Sequence, residues 1–81
     1  MKTEELRAAL DKLGVPRKFY SINGDLFSDT CILNFVHSYW EYFYFDEKGR
    51  VTGYKRFDTE DEACEYLYRQ LENEMKYYSP K

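Results

Sequence analysis

Tyr39-Trp40-Glu41-Tyr42-Phe43-Tyr44-Phe45 decides how this chain is read. Every residue in the run except Glu41 is aromatic, and aromatic side chains favour the pleated, half-buried surface of a strand. Alternation then places Trp40, Tyr42 and Tyr44 on one face, and Tyr39, Glu41, Phe43 and Phe45 on the other. Both faces are greasy in a chain of only 81 residues, which has little material to cover both. One face must be core. The other is either roofed by a helix or open to a partner.

Turn signals on both sides make this strand the central one. Upstream, Thr30 to Val36 is rich in β-formers and reads as a strand, with His37-Ser38 in the turn. That turn sets Phe35 opposite Trp40, Leu33 opposite Tyr42 and Cys31 opposite Tyr44. Downstream, Asp46-Glu47-Lys48-Gly49 fits a hairpin loop with Gly in the left-handed position, leading to a third strand from Arg50 to Phe57. The loop sets Asp46 opposite Arg50, Phe43 opposite Gly53 and Glu41 opposite Lys55, the last a favourable cross-strand pair. A slip of one residue would reverse the faces of the third strand.

Helices flank the strands. Thr3 is the expected cap of the first, with Glu4 and Glu5 in its opening turn. Leu6, Ala9, Leu10 and Leu13 form an apolar stripe, and Gly14-Val15-Pro16 stops it, predicting helix over 3–13. Residues 15–29 are connector, with a turn at Asn23-Gly24 and a short extended piece at Phe19–Ile22 against the sheet edge. Thr59-Glu60-Asp61-Glu62 is a capping box that opens the second helix, expected over 59–77 with Cys64, Leu67, Tyr68, Leu71, Met75 and Tyr78 as its stripe. The predicted class is α+β, in the order α-β-β-β-α: a three-stranded antiparallel meander with N- and C-terminal helices. Residues 1–81 form one domain, with 79–81 a frayed tail.

The first two strands carry no charged or amide side chain on the Trp40 face, whereas the other face has Asn34 beside Glu41. The Trp40, Tyr42 and Tyr44 face is therefore the expected core beneath the helices. The alternative places one helix on each face.

Composition excludes several functions. The net charge of −3 argues against a general affinity for nucleic acid or anionic membrane. The α-β-β-β-α order is that of a double-stranded-RNA-binding module, but such modules need basic residues where the second helix begins. Here that position reads Asp58-Thr59-Glu60-Asp61-Glu62, followed by Glu65. Cys31 and Cys64 form no C-x-x-C pair and there is no His cluster, so neither metal nor cofactor is expected. His37 shares strand parity with Cys31 but lies roughly 20 Å along the strand, too far for a dyad. With no phosphate loop and no nucleophile elbow, no enzymatic activity is expected. The chain opens directly on a helical pattern and lacks an apolar run long enough to span a bilayer, so a cytoplasmic location with reduced thiols is expected.

What remains is recognition of a protein. Asp58, Glu60, Asp61, Glu62 and Glu65, with Asp46 and Glu47 in the hairpin loop, form an acidic set that would steer a basic partner. The bland reading is a solvated helix start. Tyr39, Glu41 and Phe43 on the second sheet face are the competing contact surface, tyrosine being suited to interfaces.

Several stretches carry a family likeness: Lys12-Leu13-Gly14-Val15-Pro16, Tyr20-Ser21-Ile22-Asn23-Gly24, Trp40-Glu41, and above all Phe57-Asp58-Thr59-Glu60-Asp61-Glu62-Ala63-Cys64-Glu65-Tyr66-Leu67. On these the chain resembles the small immunity proteins of bacterial polymorphic-toxin and contact-dependent inhibition systems, in particular the immunity protein 59 family. The resemblance implies a non-enzymatic inhibitor that binds a cognate toxin domain and blocks its active site or an essential surface. Toxins of these systems are often nucleases with basic clefts, which an acidic protein would plug. The resemblance supplies no catalytic residues. The competing expectation is a small homo-oligomeric or adaptor module that pairs through its exposed aromatic face, with the monomer favoured.

Overall fold

The computed structural model describes residues 1–77, and the expected helical position of Tyr78 and the frayed tail 79–81 lie outside them. The order of elements is α1 (Thr3–Leu13), a 3-10 turn (Arg17–Phe19), β1 (Tyr20–Ile22), β2 (Thr30–Val36), β3 (Tyr39–Phe45), β4 (Val51–Phe57) and α2 (Glu60–Met75). The strands make one sheet in the order β1-β2-β3-β4. The hairpins β2-β3 and β3-β4 are antiparallel, whereas β1 pairs parallel to β2. The expected three-stranded antiparallel meander is thus corrected to a four-stranded mixed sheet.

The extra strand, β1, is only three residues long. A parallel neighbour requires the chain to return to the same end of the sheet. Residues 23–29 suffice, since seven residues reach at most roughly 25 Å. Ser21, on the face opposite the helices, donates from Oγ to the Asp25 carbonyl at 2.9 Å. The return loop therefore crosses the helix-free face at its β1 edge. Gly24 permits this, because a Cβ there would stand 3.0 Å from Ser21 Oγ. Asn23 fastens the loop from the other side, its Oδ1 accepting the Phe35 amide at 2.7 Å.

Both helices pack on the same face. Leu6 and Leu10 of α1, Ala63, Cys64, Leu67 and Leu71 of α2, and Ile22, Leu33, Trp40 and Tyr42 of the sheet form one buried cluster, joined by Val15. The expected core face is the observed one, and the alternative with a helix on each side does not occur. The β2-β3 register, with Phe35 opposite Trp40, Leu33 opposite Tyr42 and Cys31 opposite Tyr44, is also as expected.

The β3-β4 register is half as expected. Asp46 donates its amide to the Arg50 carbonyl, and Phe45 pairs Val51 and Tyr44 pairs Thr52. Beyond that a bulge intervenes, and Tyr42 pairs Lys55, Glu41 pairs Arg56 and Trp40 pairs Phe57. Gly53 and Tyr54 together span the single residue Phe43. Gly53 takes φ 66°, the left-handed conformation that glycine adopts without strain. The expected Glu41–Lys55 partnership is therefore Glu41–Arg56. The bulge, together with Lys55 and Arg56, also blunts β4 as an edge strand.

The helix starts are built differently. Thr59 is the N-cap of α2 and its Oγ1 accepts the Glu62 amide at 3.2 Å, as the capping-box pattern requires. Thr3, expected as the cap of α1, is instead its first helical residue, and no side chain caps from Lys2. Glu5 Oε1 accepts the Lys2 amide at 3.0 Å, and the other helix adds a second acceptor, Glu60 Oε2, which takes the Thr3 amide at 2.8 Å.

Candidate functional site

Opposite the helices, the sheet presents a face with no covering element except the 23–29 loop. Register and alternation place Ser21, Ile32, Asn34, Val36, Tyr39, Glu41, Phe43, Phe45, Val51, Tyr54 and Arg56 on it. Ile32 and Phe43 are buried, at 0% and 7% exposure, and form its floor. Tyr54 and Val51 stand out at 48% and 52%. Leu26 and Phe27, on the crossing loop, are likewise exposed.

Two side-chain pairs stand in the middle. Tyr54 donates its hydroxyl to Glu41 Oε1 at 3.0 Å, and partial desolvation, with that bond behind it, pushes the Tyr54 hydroxyl above its ordinary value. The Arg56 guanidinium carbon sits 3.8 Å from the Tyr39 ring centroid, a cation–π contact that holds both side chains against the sheet. Asn34, directly across from Glu41, keeps a buried Oδ1 without a donor among the described residues. Leaving such an atom unsatisfied costs about 1–3 kcal/mol. Aromatic rings, one arginine and one carboxylate thus stand together on the open face.

The acidic residues named from the sequence do not form one patch. Asp46 and Glu47 precede β4, and Asp58 to Glu65 follow it, so seven strand residues, roughly 20 Å, separate the groups. Most are also engaged inside the molecule. Asp46 accepts the Lys48 and Arg50 amides at 2.9 and 2.8 Å and the Arg50 Nε at 3.2 Å. The Arg50 amide foremost holds its carboxyl below the usual range. Glu60 caps α1 and lies 3.7 Å from Lys2 Nζ. Asp61 pairs with the N-terminal ammonium of Met1. Glu62 Oε1 accepts the Thr59 hydroxyl at 3.0 Å, and Glu65 pairs with Arg69 at 3.0 Å. Only Glu47 and Asp58 stand exposed with no bond described above.

Of the remaining sequence-derived contacts, Tyr39 and Glu41 sit on the open face as expected, while Phe43 is floor and offers little surface. Tyr54 and Arg56 were missed. Their parity is reversed by the bulge, and the only sequence signal for it is Gly53 inside a strand pattern.

Neither thiol is poised for chemistry. Burial pushes both Cys31 and Cys64 up, and the Tyr42 hydroxyl contacts Cys31 Sγ at 3.6 Å. No described cluster of His, Cys, Asp or Glu could hold a metal ion. No described helix is long and apolar enough to cross a membrane.

A scan against protein-family models, a search of curated proteins and a search of solved structures each return no match.

Proposed function

We propose that this protein is a toxin-neutralising immunity protein, which binds one cognate toxin domain and blocks its active site or an essential surface. The observation that carries the proposal is the helix-free sheet face, where Tyr54 hydrogen-bonds Glu41 and Arg56 stacks on Tyr39, with Tyr54 and Val51 exposed. The likeness of the Phe57–Leu67 stretch to immunity proteins supplies the class of partner. The acidic residues enter this reading in a smaller role. Glu47 and Asp58 remain available to steer a basic toxin, while the others hold the helices and the hairpin.

The test is co-expression and binding with the protein encoded beside this chain. Tyr39→Ala and Arg56→Ala are expected to weaken the complex by about 30-fold or more each, the scale of an interface hot spot, with folding intact. Charge reversal at Glu47 and Asp58 is expected to slow association and reduce its salt dependence. Face variants that bind as tightly as the wild type would remove the basis for the proposal, as would a neighbour with no toxic activity.

A further inference from the structure

On the helix side of the sheet lies a cavity of about 580 Å³, within the range of ligand sites. It opens where the C-terminal half of α2 passes over the ends of β2 and β3. Its walls are aromatic: Tyr42, Tyr44, Tyr66 and Phe19. Two carboxylates, Asp29 and Glu74, also line it, and no lysine or arginine does. Among the described residues neither carboxylate takes part in an ion pair.

We propose that this cavity is a site for an organic cation, a guanidinium or substituted ammonium group held between the tyrosine rings and the carboxylates of Asp29 and Glu74. The ring faces carry the negative end of the aromatic quadrupole, and partial desolvation strengthens their attraction for a cation. The cage is braced before any ligand enters. Tyr42 and Tyr66 meet edge to face with centroids 5.0 Å apart, and the Tyr44 hydroxyl donates to Asp29 Oδ1 at 3.2 Å. Burial foremost raises the Tyr42 and Tyr44 hydroxyls, with Asp29 next for Tyr44 and Glu74 a smaller contribution to both. The cation has two sources, an arginine or lysine side chain of a protein partner or a free small amine. The site lies on the opposite side of the sheet from the proposed toxin contact and does not depend on it.

The experiment is an NMR titration of the full chain with three probes: N-acetyl-arginine methylamide, tetramethylammonium, and the neutral isostere N-acetyl-citrulline methylamide. The cationic probes are expected to give saturable shifts at Tyr42, Tyr44 and Tyr66, and citrulline none. Binding by the arginine probe alone assigns a partner's side chain, and tighter binding of tetramethylammonium assigns a free amine. Glu74→Gln, at an exposed helix position, should weaken binding by about 3- to 10-fold with the thermal melt unchanged. Equal shifts with citrulline, or none at these tyrosines with either cation, would overturn the proposal.

Discussion

Glu60, the first residue of α2, caps α1: its Oε2 accepts the Thr3 amide at 2.8 Å. The two helix N-termini therefore sit side by side on the core face, and one carboxylate serves both. It adds negative charge in the first turn of its own helix and satisfies an orphan donor of the other. Met1, through its ammonium and Asp61, makes a second tie at the same place.

Removing that cap should loosen the helix pair. Glu60→Ala is expected to lower stability by about 1–2 kcal/mol, the usual cost of losing a capping acceptor. That corresponds to a fall in Tm of several degrees for a domain this small. Affinity for the toxin partner should not change, because Glu60 is used internally. Thermal melts and a binding titration on one variant check both. A Glu60→Ala protein that folds as stably as the wild type but no longer binds would return the acidic residues to the interface.

Gly53 carries the bulge. Nothing lies within 4 Å of a Cβ placed there, so a substitution meets no steric clash and only the backbone cost of φ 66° remains. Gly53→Ala is expected to destabilise by about 1 kcal/mol. Urea denaturation with an unchanged m-value reads this directly. A neutral effect would mean that the β4 register shift is not held by the glycine.

Asn34 predicts a conflict between stability and function. Asn34→Val removes the buried oxygen that has no donor and installs a β-branched residue in mid-strand. Stability is expected to rise by about 1 kcal/mol, while binding through the adjacent Glu41 weakens. Calorimetry and the binding assay together decide it. A less stable Asn34→Val protein would show that the amide is satisfied in solution.

Cys64 gives a pH dependence. Burial, with the Glu60 charge behind it, pushes the thiol from 9.0 up to about 11. The folded core accepts the protonated form, so this contribution is complete below pH 9. It is lost as pH rises from about 9 to about 11, where the unfolded chain sheds its proton first. The tyrosines add to the alkaline loss from their ordinary value upward. Between about pH 9 and 11, wild-type stability should fall more steeply than that of Cys64→Ala. Parallel curves would exclude the thiol as the cause.

Much of the fold is legible in local pattern. The helix over Thr3–Leu13, the strands from Thr30 and Tyr39, the capping box at Thr59 and the core face all follow from periodicity, turn residues and the position of Asn34 and Glu41. These depend on contacts within a few residues or on simple alternation. The parallel strand at Tyr20–Ile22 does not. Three residues carry too little pattern to declare a direction, and the direction is set by where the 23–29 loop comes to rest on the sheet.

The candidate site divides in the same way. From the aromatic strand, with Asn34 beside Glu41, it follows that Tyr39 and Glu41 lie on the face away from the expected core; whether a helix roofs that face does not follow. Tertiary structure decided which residues stand beside them. The Gly53 bulge turned Tyr54 and Arg56 towards Glu41 and Tyr39. The apposition of the helix starts paired Glu60 with the Thr3 amide and Asp61 with the N-terminal ammonium, donors that lie 57 and 60 positions away in sequence and that no local pattern reveals.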